Sequence, residues 1–158
     1  MHTKLAIKLG EVLAFCEVGI DTFKKGHNAL KQIFSKEDLQ QIPEEISNHR
    51  DEIIRIAEEH DALDHVRKKA QATGKKIESM QDLYLQDEDD WEDPAEMLEW
   101  LGFFEGGAIV HWSLVSGGAD TADIAELTDL AHAGNQLHRV TLDIIAAYIT
   151  DIGADTQQ

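Results

Sequence analysis

The sequence predicts an all-α protein folded as an up-down antiparallel four-helix bundle, and three observations favour this class. Apolar residues recur at steps of three or four along long stretches, which places them on one face of a helix. Only two prolines occur in the 158 residues, and the alternating apolar patterns typical of strands are scarce. Helix start and stop signals divide the chain into four long segments. A chain of this length, 42% apolar, suits one domain spanning residues 1–158.

The first predicted helix, helix A, runs from about Thr3 to Lys25. Its apolar stripe consists of Leu5, Leu9, Val12, Cys16, Ile20 and Phe23. Lysines in the last turn suit the negative end of the helix dipole, and Gly26 can end the helix. We expect His27 to Gln41 to form a short helical connector between the first two long helices, covering one end of the core.

The second predicted helix, helix B, opens with Pro43 in its first turn and continues to about Thr73, where Gly74 can end it. Its stripe reads Ile46, His49, Ile53, Ile56, His60 and Leu63. Two of these six core positions are histidines. Asp64 lies one turn after His60, so the two side chains can meet.

The connector from residue 75 to 93 ends in a dense acidic run, Asp87 to Asp93, that contains Trp91. One interpretation is a solvated acidic loop, and another is a docking segment in which Trp91 anchors a partner. A calcium loop is the third interpretation, but the run lacks the glycine and the distal glutamate of that motif.

Helix C begins at Asp93 as its cap with Pro94 in the first position, and Gly117 and Gly118 can end it. Its stripe reads Met97, Leu101, Phe104, Ala108, His111 and Val115. Helix D follows almost at once, from Asp120 to Gly153, so C and D form an antiparallel hairpin. The stripe of helix D consists of Ile124, Leu127, Ala131, Asn135, His138, Leu142, Ile145 and Ile149.

Polar residues on these stripes predict a binding site. With a rise of about 1.5 Å per residue, His60 on helix B and His138 on helix D fall at the same height. Asp64 and Asn135 lie one turn away from them, and imidazole with carboxylate is a ligand set for zinc, iron, nickel or manganese. Two opposed imidazoles can also bind a haem iron, and haem is the less favoured of the two cofactors. His49 and His111 form a second, weaker pair by the same measure.

The alternative interpretation is that these histidines have a purely structural role, as a buried polar layer whose members form hydrogen bonds with one another or with the backbone. The Glu-x-x-His pairs of ferritin-like di-iron bundles are absent from the stripes. An enzyme that uses metal-bound water remains an open alternative.

The net charge of −17 argues against binding nucleic acid or an anionic membrane and favours a basic protein partner. Two functions therefore compete: a protein that binds a metal or small cofactor through core histidines, and an acidic interaction module that uses the Trp91 loop. A homodimer is compatible with both.

Location is predicted from what the sequence lacks. Cys16 is the only cysteine, so no intramolecular disulfide can form. The absence of disulfides is consistent with a reducing compartment. The chain shows neither the apolar core of a signal peptide nor an apolar run long enough to span a membrane. We expect a cytoplasmic protein.

Overall fold

A computed structural model describes residues 1–155, and within this range every regular element is a helix. The all-α class is therefore confirmed. The helices are α1 (Thr3–Lys25), α2 (His27–Leu30), α3 (Lys36–Glu59), α4 (Leu63–Tyr84), α5 (Glu88–Glu92), α6 (Pro94–Thr121) and α7 (Ala125–Asp155). Five of the helices in this range are long, where the sequence predicted four.

Side-chain caps begin α3 and α6. The Ser35 hydroxyl accepts a 3.0 Å hydrogen bond from the backbone N–H of Asp38, so α3 begins earlier than predicted and contains Pro43 in its interior. The Asp93 carboxylate accepts from the N–H groups of Ala95 and Glu96, and the predicted start of α6 is confirmed. Each cap satisfies backbone donors that the first helical turn leaves without partners.

The prediction of one continuous helix B is wrong, because the chain turns sharply at Asp61. This residue has a φ of 53°, in the left-handed region. The Ala62 N–H donates to the Ala57 carbonyl at 2.8 Å, and the Asp61 N–H donates to the Glu58 carbonyl at 3.1 Å. These two bonds form a Schellman motif, which closes a helix and reverses the chain. An aspartate takes the place that glycine usually occupies, so no glycine marks the turn.

Helix α1 lies at the centre, in contact with α3, α4 and α6, while α7 packs on α6 and α3. The rings of Phe15 on α1 and Phe104 on α6 lie 5.2 Å apart. Gln81 on α4 donates a 2.7 Å hydrogen bond to the Thr22 hydroxyl on α1. None of the helices in residues 1–155 has the length and apolar character that crossing a bilayer requires.

A buried polar cluster and an apolar groove on helix α6

The structure does not bring His60 and His138 together. His60 caps the end of α3, and its Nε2 lies 3.8 Å from a carboxylate oxygen of Glu126, near the start of α7. His138 lies twelve residues farther along α7, about 18 Å at 1.5 Å per residue. Asp64 is exposed in the first turn of α4. The expected coincidence of heights is wrong because it assumed that helix B runs straight through Asp61.

Asn135 is satisfied by other side chains and by the backbone. Its amide nitrogen lies 2.8 Å from the Ser113 hydroxyl and 3.2 Å from the Ile109 carbonyl. Its amide oxygen accepts a 2.5 Å hydrogen bond from Arg139. Asn135 therefore joins α6 to α7, and its hydrogen bonds account for a polar residue on the predicted apolar stripe.

The partner of His138 is Glu105 on α6, a residue at the flank of the predicted apolar stripe of helix C. The carboxylate is 0% exposed and the imidazole 1%, and the Glu105 Oε2 and His138 Nδ1 share a hydrogen bond. A buried charge is tolerated only where it is paired. Glu105 carries the only carboxylate from residue 100 to residue 119, and this isolation was the available signal.

Four polar atoms around this pair have no partner: His138 Nε2, Glu105 Oε1, Trp112 Nε1 and His49 Nδ1. The rings of His49 and Trp112 lie 6.0 Å apart. Burial lowers the pKa of His49 below its usual range, and the nearby His138 lowers it further. His49 therefore belongs with His138 rather than with His111, and α3, α6 and α7 enclose one polar cluster. Residues 1–155 contain no group of three or more histidine, cysteine or acidic side chains arranged to hold a metal.

His111 lies on the opposite side of α6. Its Nδ1–H donates to the Gly107 carbonyl at 2.8 Å, and its Nε2 lies 3.7 Å from the Glu11 carboxylate. Glu11 is 8% exposed and also pairs with Lys8 at 3.2 Å and Lys69 at 3.5 Å. The predicted pair of His49 and His111 is thus divided by α6, because the adjacent residues His111 and Trp112 face different neighbours.

An apolar groove lies along this side of α6, and the wall opposite α6 is formed by α4 in one segment and by the start of α1 in the other. Near the end of α4 it has a volume of about 300 Å³. The residues there are Phe15, Thr73, Lys76, Ile77, Met80, Trp100, Phe103, Phe104, Gly107 and His111. A second segment of about 460 Å³ follows α1 toward its start. The residues of this segment are His2, Lys4, Leu5, Lys8, Leu114, Gly118, Thr121 and Ala122. We call the two segments together the α4–α6 groove.

Large apolar side chains are exposed mainly beside this groove. Phe103 is 51% exposed, Leu114 49% and Met80 37%, and all three line it. The Tyr84 ring lies 5.8 Å from the Phe103 ring. Val110, 58% exposed, lies one turn before Leu114 on the same face of α6. Sequence reasoning missed this face because it sought a single apolar stripe on helix C.

Trp91 is not available as a docking anchor. Its side chain is only 9% exposed and packs into the core, with the Lys25 ammonium 4.0 Å from the ring centre. Glu92 accepts a 3.2 Å hydrogen bond from Asn28. The acidic run instead forms the short helix α5, which contacts α2 and α6 and whose buried Trp91 lies against Lys25 of α1.

Comparison with known proteins assigns no family to this chain. No family model, no curated protein and no solved structure matches it. The geometry of the groove and of the buried cluster therefore carries the functional argument.

Proposed function

We propose that this protein is an interaction module that binds an amphipathic α-helix of another protein in the α4–α6 groove. The observation that carries the proposal is the concentration of exposed apolar side chains along one helix-lined groove. Monomeric proteins rarely expose large contiguous apolar patches, and such patches often mark interaction sites. Helices that recognise such grooves insert apolar side chains at helical spacing.

The dimensions of the groove suit a helix. From Trp100 to Gly118 the α6 wall extends 18 residues, about 27 Å at 1.5 Å per residue, which matches a partner helix of about 18 residues. Helices α4 and α6 both pack extensively on α1 but touch each other at few points. The space beside α6 is therefore open to solvent in each of the two segments of the groove, as helix docking requires.

The outward face of α6 supports close approach by another helix. Among the described residues, apart from the adjacent residues and backbone of α6 itself, no atom lies within 4 Å of the position where a Cβ of Gly106 or Gly117 would lie, so packing does not require glycine there. Each glycine costs about 1 kcal/mol relative to alanine in a helix. Small residues beside Val110 allow a partner backbone to approach the α6 surface.

Charge on the groove walls selects among occupants. Lys4, Lys8 and Lys76 line the groove, and none of the lining residues in the described part of the chain carries a carboxylate. A helix with a basic edge would be repelled, so the occupant is a helix whose polar edge is neutral or acidic. The basic partner inferred from net charge fits this surface poorly.

Selection from a displayed library of 18-residue helical peptides tests the proposal. Enriched peptides are expected to carry apolar residues at steps of three and four, and to bind in fluorescence anisotropy. Leu114→Glu, which places a charge on the groove wall, is expected to weaken binding at least about tenfold. Val140→Glu on α7 is the matched control, because Val140 is 47% exposed and Leu114 49%.

Three results would overturn the proposal. Selected peptides would bind the Leu114→Glu variant as well as the parent protein. Long-chain fatty acids would displace the peptides and saturate the groove, which would make an apolar anion the occupant. Sedimentation would show a dimer that Leu114→Glu dissociates, which would make a second copy of the chain the occupant.

A second candidate function is binding of a transition metal or a small polar ligand at the buried cluster. It is supported by the unpartnered nitrogens of His138 and His49 and by Glu105, which orients the His138 ring as carboxylates orient metal-binding histidines. Zinc, iron, nickel and manganese are the metals expected. Elemental analysis of untagged protein never exposed to chelator tests this function, and a metal content far below one per chain would reject metal binding.

A further inference from the structure

The α4–α6 groove has a local charge opposite in sign to that of the whole protein. The chain carries 31 acidic residues against 14 lysines and arginines. The residues that line the two segments of the groove nevertheless include three lysines, Lys4, Lys8 and Lys76, and no aspartate or glutamate. Two histidines, His2 and His111, also line it. A partner that docks in the groove therefore lies closer to these lysines and histidines than to the acidic residues elsewhere on the surface.

The Glu11 carboxylate, near the groove floor, is already compensated by positive charge. Glu11 pairs with the ammonium groups of Lys8 and Lys69, and His111 lies beside it. Two lysines against one glutamate leave this point of the floor with a net positive charge. Within residues 1–155, the ammonium groups of Lys4 and Lys76 have no carboxylate within ion-pair distance. They are therefore free to pair with an incoming ligand.

The cationic groups also follow a helical spacing. Lys4 and Lys8 lie one turn apart on α1. Lys8 and Lys69 reach the same carboxylate, so they are close in height. Lys76 lies seven residues after Lys69, about two turns farther along α4. The cations thus form a row along the edge of the groove formed by α1 and α4.

We infer that the partner helix is acidic along the edge that lies over α1 and α4, with aspartate or glutamate at steps of about four and seven residues. This inference rests on the proposed function, since it describes the occupant of the same groove. A net charge of −17 opposes an acidic ligand at long range. At 0.15 M salt, however, charges farther away than about 8 Å are largely screened, and the nearby lysines decide the sign of the interaction.

Charge reversal tests the inference at 0.15 M salt. The peptides selected for the groove are expected to carry acidic residues on one edge at this spacing. Lys76→Glu is expected to weaken the best acidic peptide at least about tenfold. A peptide in which the facing glutamate is changed to lysine is expected to recover binding to that variant. Lys36→Glu is the control, because Lys36 is exposed at the start of α3 and does not line the groove.

The outcomes separate the two proposals. If selected helices depend on Leu114 but are neutral or basic, or if Lys76→Glu leaves their affinity unchanged, the acidic edge is refuted and helix binding stands. If the affinity of the selected peptides does not depend on Leu114, the groove is not their binding site, and both proposals are refuted.

Discussion

Removing one partner of the Glu105–His138 pair is expected to cost more stability than removing both. In His138→Leu, the Glu105 carboxylate keeps its position in the core, where it is 0% exposed and has no other partner for Oε2. Breaking a buried ion pair in this way costs about 3–5 kcal/mol. Glu105→Leu leaves the His138 imidazole, 1% exposed, without its only hydrogen bond. The double replacement by leucine removes both desolvated groups, and such exchanges are often neutral or stabilising.

The size of this effect is measurable by urea denaturation followed through helical circular dichroism. A domain of this kind has a free energy of unfolding of about 5–15 kcal/mol, so each single variant loses a large fraction of it. At about 2–4 °C per kcal/mol for a chain of this length, a loss of about 3–5 kcal/mol lowers the Tm by roughly 6–20 °C. Single variants that lose less than about 1 kcal/mol, or a double variant less stable than both, would refute the reasoning.

Further predictions concern glycines, a cysteine and a histidine. Gly106→Ala should stabilise the protein by about 0.5–1 kcal/mol, whereas Gly134→Ala should destabilise it, because the new Cβ would lie 2.5 Å from the Trp112 ring; thermal melts of the two variants check the opposite signs. Burial raises the pKa of Cys16 to about 12, so iodoacetamide should label the thiol only after unfolding, and rapid labelling of the native protein would contradict its burial. The pKa of His49 is lowered below its usual 6.5 because the folded protein buries the neutral imidazole. The stability that His49 contributes is therefore complete above about pH 6.5 and is lost as the pH falls through the lowered pKa. In denaturation experiments from pH 5 to 8, the free energy of unfolding of His49→Gln should fall less toward acid pH than that of the parent protein.

Local signals predicted a helix start correctly where a side-chain cap and a proline coincide, whereas Pro43 alone did not mark the start of α3. Asp93 followed by Pro94 marks the start of α6, and the structure places it there. The turn at Asp61 could not be read in the same way, because an aspartate adopts the left-handed conformation and apolar periodicity continues on both sides of it. Gly74, taken as a helix end, lies inside α4, where the cost of a glycine is only about 1 kcal/mol.

The sites were harder to predict than the helices because they depend on helix rotation and on which helices are neighbours. The sequence placed His138 and His49 on core faces of their helices, but it paired them with the wrong histidines, His60 and His111. A difference of one residue on a helix is 100°, which decides whether Glu105 is a flank residue or the buried partner of His138. The groove requires α4 to be a separate helix beside α1, so the missed turn at Asp61 also concealed the groove.

The buried pair also explains how α6 can present a defined wall to the groove. Helix α6 carries apolar residues on nearly every side, so apolar packing alone specifies its rotation weakly. Only one rotation brings Glu105 to His138, and this rotation turns Phe103 and Gly107 toward the groove. A single buried polar contact can fix register in this way at a cost in stability. We therefore expect the double leucine variant at positions 105 and 138 to remain folded but to bind selected helices less tightly, by fluorescence anisotropy. Unchanged affinity in that variant would show that apolar packing sets the rotation of α6 without the pair.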